Sequence, residues 1–228
     1  IAVRPPRANP AVLPSLNAGF RAKHNMNLEV AKQGNIDLLF MGDSITDFWR
    51  TAGAAGVVNP PLAGKAVFDK YFGAMKVANF GISGDTTQGV LYRLLDGEGQ
   101  GFQPKAVMLM IGTNNTGQST GPEIAEGVGA VIMELRRNFP SAKILLLAVF
   151  PRAVPGDPVR DKIAEANQII SRLDDQKNVF YLDIGRKFLD DKGVFLPDSF
   201  RPDNLHPQAK GYDIWGEAVS AKLAELMK

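Results

Sequence analysis

The chain has 228 residues, enough to bury the core of one domain, and its 45% apolar and 22% charged residues are typical of a globular protein. A net charge of +2 without a basic run gives no support for nucleic-acid binding. The absence of cysteine excludes disulfides, thiolate catalysis and zinc–thiolate sites, and no apolar run approaches the ~18 residues of a membrane span.

Residues 1–14 contain several prolines and are predicted to form an exposed N-terminal arm. Residues 15–228 are predicted to form a single domain, because they contain no repeat, low-complexity segment or linker. The chain begins with Ile1 rather than Met. Removal of a signal peptide would explain this start, which slightly favours a secreted or periplasmic protein over a cytoplasmic one, although trimming of the chain would explain it equally well.

Short apolar runs alternate with amphipathic segments along the chain, a pattern that predicts an α/β fold with a parallel sheet and helices on both faces. Strands are predicted at 36–41, 76–80, 106–111, 144–150 and 178–182. Helices are predicted at 15–33, 87–95, 123–138, 159–176 and 208–227. Ser15 is the predicted N-cap of the first helix, and Gly34 follows its end. Right-handed crossovers then bring the carboxyl ends of the strands to one edge of the sheet.

The turn Gly42-Asp43-Ser44 follows the first predicted strand. Ligands of open α/β sheets bind outside the carboxyl ends of the strands, so Ser44 is a candidate nucleophile by position. A serine hydroxyl is a weak nucleophile at neutral pH and needs a base, a group that orients the base, and donors for an oxyanion.

Only two histidines are available as that base. His206 lies three residues after Asp203, which is close enough to accept a hydrogen bond from one ring nitrogen and fix the tautomer. His24 has no acidic residue within three positions and lies in a predicted amphipathic helix, so a structural role is favoured for it.

The loops after the next strands offer oxyanion donors. A glycine before a helix, as in Gly81–Thr87, lets a backbone N–H point into a site, although such a loop is also an ordinary strand-to-helix turn. Asn114 follows the third strand and offers a side-chain amide, but asparagine is also common in turns. Residues 47–61 are predicted to form a loop beside the site, with Trp49 either packed on the surface or in contact with substrate.

Four blocks of the sequence together resemble, in order, the signature blocks of the SGNH (GDSL-type) hydrolases. The blocks are Gly42-Asp43-Ser44, Gly84 in Gly-Ile-Ser-Gly-Asp, Asn114 in Gly-Thr-Asn-Asn, and Asp203-x-x-His206. The resemblance covers nearly the whole chain. Within this superfamily the chain looks most like the catalytic subunits of platelet-activating-factor acetylhydrolase Ib and their bacterial relatives, with similar residues at 79–87, 90–94 and 151–160. The N-terminal arm and the 49–61 loop differ from those enzymes.

The resemblance implies a flavodoxin-like three-layer fold, with a five-stranded parallel sheet of order 2-1-3-4-5. It implies that Ser44 is the nucleophile, that His206 is the general base and then the acid, and that Asp203 orients His206. It also implies an oxyanion hole formed by the backbone N–H groups of Ser44 and Gly84 and the side-chain amide of Asn114.

Ile45, Thr113 and Leu205 adjoin these blocks and are either ordinary core residues or the walls of a small acyl pocket suited to acetyl groups. The resulting expectation is a serine esterase that acts through an acyl-enzyme, needs no cofactor or metal, and removes acetyl groups from an acylated substrate such as an acetylated saccharide. A phospholipid-type acetyl ester or a lysophospholipid is the alternative substrate.

Two other classes of function are open at this point. A catalytically silent binding module on the same fold would lack a catalytic group, and none is missing here. A metal-dependent hydrolase could use Asp43, Asp203 and His206, but these residues lie on separate loops without a metal-binding spacing such as H-E-x-x-H. A homodimer is expected only by analogy with the paired subunits of the resembling enzymes.

Overall fold

A computed structural model describes residues 7–50 and 64–228, and its centre is a five-stranded parallel sheet of order β2-β1-β3-β4-β5. The strands are β1 Leu38–Gly42, β2 Val77–Asn79, β3 Ala106–Met110, β4 Lys143–Leu147 and β5 Val179–Leu182. Each predicted strand is therefore confirmed, with ends that shift by up to three residues. The sheet order expected from the SGNH resemblance is confirmed as well.

The inner strand β1, between β2 and β3, is buried on both faces because its side chains alternate between two apolar clusters. Leu39 and Met41 point to the cluster that includes the helix after β3. Leu38 and Phe40 point to the cluster around the C-terminal helix. This burial on both sides fixes the strand register and therefore the position of the turn that follows Gly42.

Seven α-helices are present in the described part of the chain. They are α1 Arg21–Gln33, α2 Ser44–Asp47, α3 Lys65–Phe72, α4 Thr87–Arg93, α5 Gly121–Asn138, α6 Pro158–Ile170 and α7 Ala209–Leu226. Thr86 caps α4, and Thr120 forms a capping box with Glu123 at the start of α5. The helix predicted at 159–176 ends earlier, in a short 3-10 turn.

The predicted N-cap of the first helix is wrong. Asn17 caps a 3-10 turn over Ala18–Phe20, and α1 begins only at Arg21. Ser15 lies outside the helix, because its backbone N–H donates to the carbonyl of Gln88 at 3.1 Å. The end of the helix agrees with the prediction, since Gly34 has a positive φ of 66°.

Residues 7–14, the described part of the predicted arm, run along α5 and the start of α4. Arg7 pairs with Glu123 at 2.8 Å, and the Thr87 hydroxyl donates to the Ala11 carbonyl at 2.7 Å. Ala11 is fully buried, while most of the other side chains are exposed or half-buried. Residues 1–6 of the arm lie outside the described residues.

Trp49 is buried in the core, so both predictions for it, surface packing and substrate contact, are wrong. Its ring lies 5.0 Å from that of Trp215 and 4.6 Å from that of Tyr212. A short helical turn over Phe48–Arg50 turns the indole inward. The remainder of the predicted 47–61 loop, from residue 51, lies outside the described residues. Of the helices within 7–50 and 64–228, none combines the length and apolar character that crossing a membrane requires.

Candidate active site

The residues predicted to form the site follow successive strands at the carboxyl edge of the sheet. Ser44 follows β1, Gly84 follows β2 and Asn114 follows β3. Asp203 and His206 lie in the loop before α7. The parallel arrangement of the strands therefore gathers residues that are up to 162 positions apart in the sequence.

Ser44 is the first residue of α2, and the chain bends sharply before it. A side chain at Gly42 would overlap the Thr46 hydroxyl and the Met110 carbonyl, so the bend requires glycine. The Asp43 carboxylate caps the helix by accepting the Ile45 N–H at 2.9 Å. The N–H groups at the start of a helix have no acceptor within it, so that of Ser44 is available to a ligand.

Ser44, His206 and Asp203 form a continuous chain of hydrogen bonds. The Ser44 Oγ lies 2.9 Å from His206 Nε2, and His206 Nδ1 lies 2.7 Å from Asp203 Oδ2. An ionised carboxylate only accepts, so the neutral imidazole carries its proton on Nδ1. Its Nε2 is then free to accept the proton of the Ser44 hydroxyl.

The orientation of His206 is fixed by its own loop and by an aromatic neighbour. The second carboxylate oxygen of Asp203 accepts the backbone N–H groups of Leu205 and His206 at 2.9 and 3.0 Å. Burial opposes ionisation of Asp203, but these bonds and the imidazole together hold the pKa of its carboxyl below the usual value. The Phe48 ring packs against the imidazole at 5.1 Å, and the Arg201 guanidinium lies over the Phe48 ring at 4.7 Å.

Gly84 and Asn114 line the same cleft on the edge of the sheet. Gly84 adopts a positive φ of 85°, which favours glycine. The Asn114 amide nitrogen donates one hydrogen to the Asp85 carbonyl at 2.8 Å, which fixes the side chain and leaves its second hydrogen for a ligand. Ser83 in the Gly84 loop donates to Asp47 at the end of α2, which ties this loop to the Ser44 helix.

Asp43 is a buried acid beside the serine. Its Oδ2 has no hydrogen-bond partner among the described residues. Burial raises the pKa of the Asp43 carboxyl to about 7, although the Ile45 N–H opposes the shift. The side chain is therefore largely protonated in weakly acidic solution and only partly ionised at neutral pH.

A buried charge cluster behind the Gly84 loop escaped the sequence analysis. Arg93 pairs with Asp85 at 2.8 Å and also with Glu98, and all three side chains are buried. His24 joins the cluster through Glu98 at 2.7 Å, and this hydrogen bond raises the pKa of its imidazole. A structural role for His24 agrees with this burial.

The spacing of Asp85, Gly89 and Arg93 was a signal for part of this cluster. Residues four apart face the same side of a helix, and a side chain at Gly89 would overlap the Asp85 carboxylate. Asp85 lies two residues before α4, and Gly89 and Arg93 lie one turn apart on it. An acid just before a helix, with glycine and then a base at four-residue steps after it, therefore indicates a buried pair.

The three residues predicted to line an acyl pocket are largely or partly buried. Ile45 and Leu205 pack in the same apolar cluster, and the Ile45 carbonyl accepts the Tyr212 hydroxyl at 2.8 Å. Thr113 is buried, and its carbonyl accepts a hydrogen bond from Arg152 at 3.1 Å. Their assignment to an acyl pocket stays a prediction.

The acids considered as metal ligands are engaged with protein donors. Asp203 uses both oxygens for the bonds described above, and Asp43 uses one oxygen for the Ile45 N–H. Across residues 7–50 and 64–228, no cluster of three or more His, Cys, Asp or Glu side chains is placed to hold a metal ion.

Comparison with known proteins agrees with this geometry. The sequence model of the GDSL-like Lipase/Acylhydrolase family matches residues 40–214, a range that contains all the candidate catalytic residues. The rat (Rattus norvegicus) platelet-activating factor acetylhydrolase IB subunit alpha2 is 32% identical to this chain, over 90% of this chain and 86% of the rat protein.

Two solved structures share the fold at lower identity. A catalytic mutant of an acetylxylan esterase from Geobacillus stearothermophilus superimposes with a TM-score of 0.60 and 21% identity, over 85% of this chain and 94% of its own. A carbohydrate acetylesterase from Sinorhizobium meliloti also gives a TM-score of 0.60, with 22% identity over 84% of this chain and 99% of its own. The family match and the identity to the rat enzyme together show that this chain belongs to the GDSL-like lipase/acylhydrolase family of carboxylic ester hydrolases.

Proposed function

We propose that this protein is a serine esterase that removes acetyl groups from an acetylated saccharide through an acyl-enzyme. The observation that carries the proposal is the hydrogen-bonded chain from Ser44 through His206 to Asp203. It joins a nucleophile, a base and an orienting acid in the arrangement that serine hydrolysis requires.

Each group then has a defined part in the reaction. The Ser44 Oγ attacks the ester carbonyl while His206 Nε2 takes the hydroxyl proton. Negative charge then develops on the carbonyl oxygen. The backbone N–H groups of Ser44 and Gly84 and the Asn114 amide stabilise this charge. His206 returns the proton to the leaving alcohol as the tetrahedral intermediate collapses to the acyl-enzyme. A water then attacks the acyl carbon by the same route, and acetate leaves with Ser44 restored.

The acetyl preference and the saccharide substrate have separate support. Ile45 follows Ser44 and Thr113 precedes Asn114 in the sequence, and both residues are buried. Neither side chain is among the smallest, which favours a small acyl group. Two structural neighbours are named as acetylxylan and carbohydrate acetylesterases. The curated relatives are named as platelet-activating factor acetylhydrolase subunits, so an acetylated phospholipid is the second candidate substrate.

The test is hydrolysis of p-nitrophenyl esters from acetate to octanoate by the wild type and by Ser44→Ala. We expect activity that peaks at acetate and is lost in the variant, and that persists in a metal chelator.

Acetate release is then compared between acetylated xylo-oligosaccharides and an acetylated phospholipid, where we expect a preference for the saccharide. Full activity in Ser44→Ala contradicts the serine mechanism, and inactivity of the wild type on every ester favours the silent binding module.

A further inference from the structure

We propose that the cleft beside Gly84 and Asn114 is a subsite for a neutral, hydroxyl-rich sugar unit of the substrate, and that Ser15–Phe20 forms one of its walls. The cleft has a volume of about 360 Å³, within the range of small-molecule sites. This inference rests on the proposed function, because it assumes that Gly84 and Asn114 bind the ester carbonyl beside the sugar.

The wall is held firmly against the domain. The Ser15 N–H donates to the Gln88 carbonyl at 3.1 Å, and Asn17 caps the 3-10 turn that carries Phe20. This wall lies before the part of the chain that matches the family, residues 40–214. A segment before the residues matched by the family model therefore shapes one side of the cleft without contributing a catalytic group.

Amide groups of the cleft are available to a ligand. Asn17 uses its oxygen to accept the Gly19 N–H, and Gln88 uses its oxygen to accept from Asn115. Within residues 7–50 and 64–228, the amide nitrogens of Asn17 and Gln88 and the side-chain amide of Gln118 make no hydrogen bond to the protein. Primary amides can both donate to and accept from sugar hydroxyls.

An aromatic ring completes the polar cleft. Phe20 is half-buried, and its Cζ would lie 3.2 Å from a Cβ placed on Gly84. The ring therefore lies next to the backbone that is proposed to bind the carbonyl oxygen. A flat apolar surface beside several amides suits a sugar ring, which has apolar C–H faces and hydroxyls around its edge.

The cleft offers no free charge for an ionic headgroup. Among its described lining residues, the one charged side chain is Asp85, whose carboxylate is buried and paired with Arg93. A phosphate would need a lysine or arginine, and a quaternary ammonium would need an aromatic cage or a free acid. The chemistry of the lining therefore favours a neutral saccharide over a phospholipid headgroup.

The test uses the double variant Asn17→Ser, Gln118→Ala. Serine keeps an oxygen that can cap the 3-10 turn, and the Gln118 side chain is exposed. The readout is the ratio of kcat/KM for an acetylated xylo-oligosaccharide to kcat/KM for p-nitrophenyl acetate, which has no sugar. Two lost neutral hydrogen bonds are expected to lower this ratio about tenfold, mainly through KM. Gln103→Ala, an exposed glutamine before β3 at the opposite edge of the sheet, is the matched control and should leave the ratio unchanged.

A binding measurement separates the subsite from the chemistry. The same oligosaccharide is titrated into Ser44→Ala with and without the two subsite substitutions, and we expect them to weaken its binding about tenfold. An unchanged ratio together with unchanged binding overturns the subsite, and so does a wild type that hydrolyses p-nitrophenyl acetate but neither binds nor deacetylates the saccharide. The proposed serine chemistry is judged separately, by the activity of Ser44→Ala on p-nitrophenyl acetate.

Discussion

Arg93 and Asp85 form an ion pair at 2.8 Å in which both side chains are buried, directly behind the loop that carries Gly84. The carbonyl of Asp85 accepts the amide of Asn114 at 2.8 Å. The ion pair therefore anchors the backbone to which a candidate oxyanion donor is tied.

Replacing Arg93 by methionine is expected to lower the free energy of unfolding by about 3–5 kcal/mol, because it leaves the Asp85 and Glu98 carboxylates buried without their cation. Urea denaturation followed by circular dichroism measures the loss. Arg21→Met is the control, since Arg21 pairs with Asp96 at the surface and should matter far less. An equal loss of unfolding free energy in the two variants would contradict the claim that burial makes the Arg93 ion pair matter more than the exposed one.

Asn114→Ala removes one proposed oxyanion donor and is expected to lower kcat on p-nitrophenyl acetate about 100- to 1,000-fold. The fold should survive, since the side chain makes a single hydrogen bond, to the Asp85 carbonyl. Steady-state kinetics together with a thermal melt separate these effects. A kcat within twofold of the wild type would remove Asn114 from the oxyanion hole.

Asp203→Asn tests the orienting acid. The asparagine oxygen can still accept the N–H groups of Leu205 and His206, but its amide cannot accept from His206 Nδ1. The imidazole is then held in the wrong tautomer, and kcat is expected to fall by a factor of about 10⁴, as for the corresponding change in serine proteases. Esterase assays at several pH values provide the measurement, and activity close to that of wild type would show that His206 is oriented by other contacts.

Asp43→Asn tests whether the raised pKa of this buried acid makes the stability of the protein depend on pH. The folded-state pKa is raised from 3.8 to about 7, so between these values the folded protein binds more protons at this site than the unfolded chain. The contribution of Asp43 to stability is complete below about pH 4 and is lost as pH rises through about 7.

Urea unfolding of both proteins from pH 4 to 8 measures this effect. The wild type should lose stability relative to Asp43→Asn as pH rises across that interval, by at most about 1.4 kcal/mol per pH unit. Parallel curves for the two proteins would mean that Asp43 titrates near its ordinary value.

The inner strands could be predicted because burial on both faces demands an unbroken apolar run, as in Leu38–Met41, and such a run is visible in one sequence. The turns after the strands could be predicted because glycine and small polar residues mark them. The SGNH resemblance then supplied the sheet order and the roles of the site residues. Those roles stay predictions until the variants are assayed.

Features that depend on distant partners could not be predicted. Trp49 looked exposed because its surroundings are rich in glycine and alanine, whereas its burial depends on Trp215, which lies 166 residues later. The sequence around His24 does not indicate its hydrogen bond to Glu98, which lies 74 residues away. The start of α1 was misplaced because the hydrogen bond from Ser15 to Gln88 joins two separate segments.

The central claim is that Ser44 attacks the ester and carries the acyl group. Its most direct test is covalent labelling with a fluorophosphonate, followed by intact and peptide mass spectrometry of the wild type and Ser44→Ala. The account predicts one phosphonyl group per wild-type chain, on Ser44, with loss of p-nitrophenyl acetate hydrolysis in proportion to labelling. Labelling at another residue, or full hydrolysis by a folded Ser44→Ala, would contradict it.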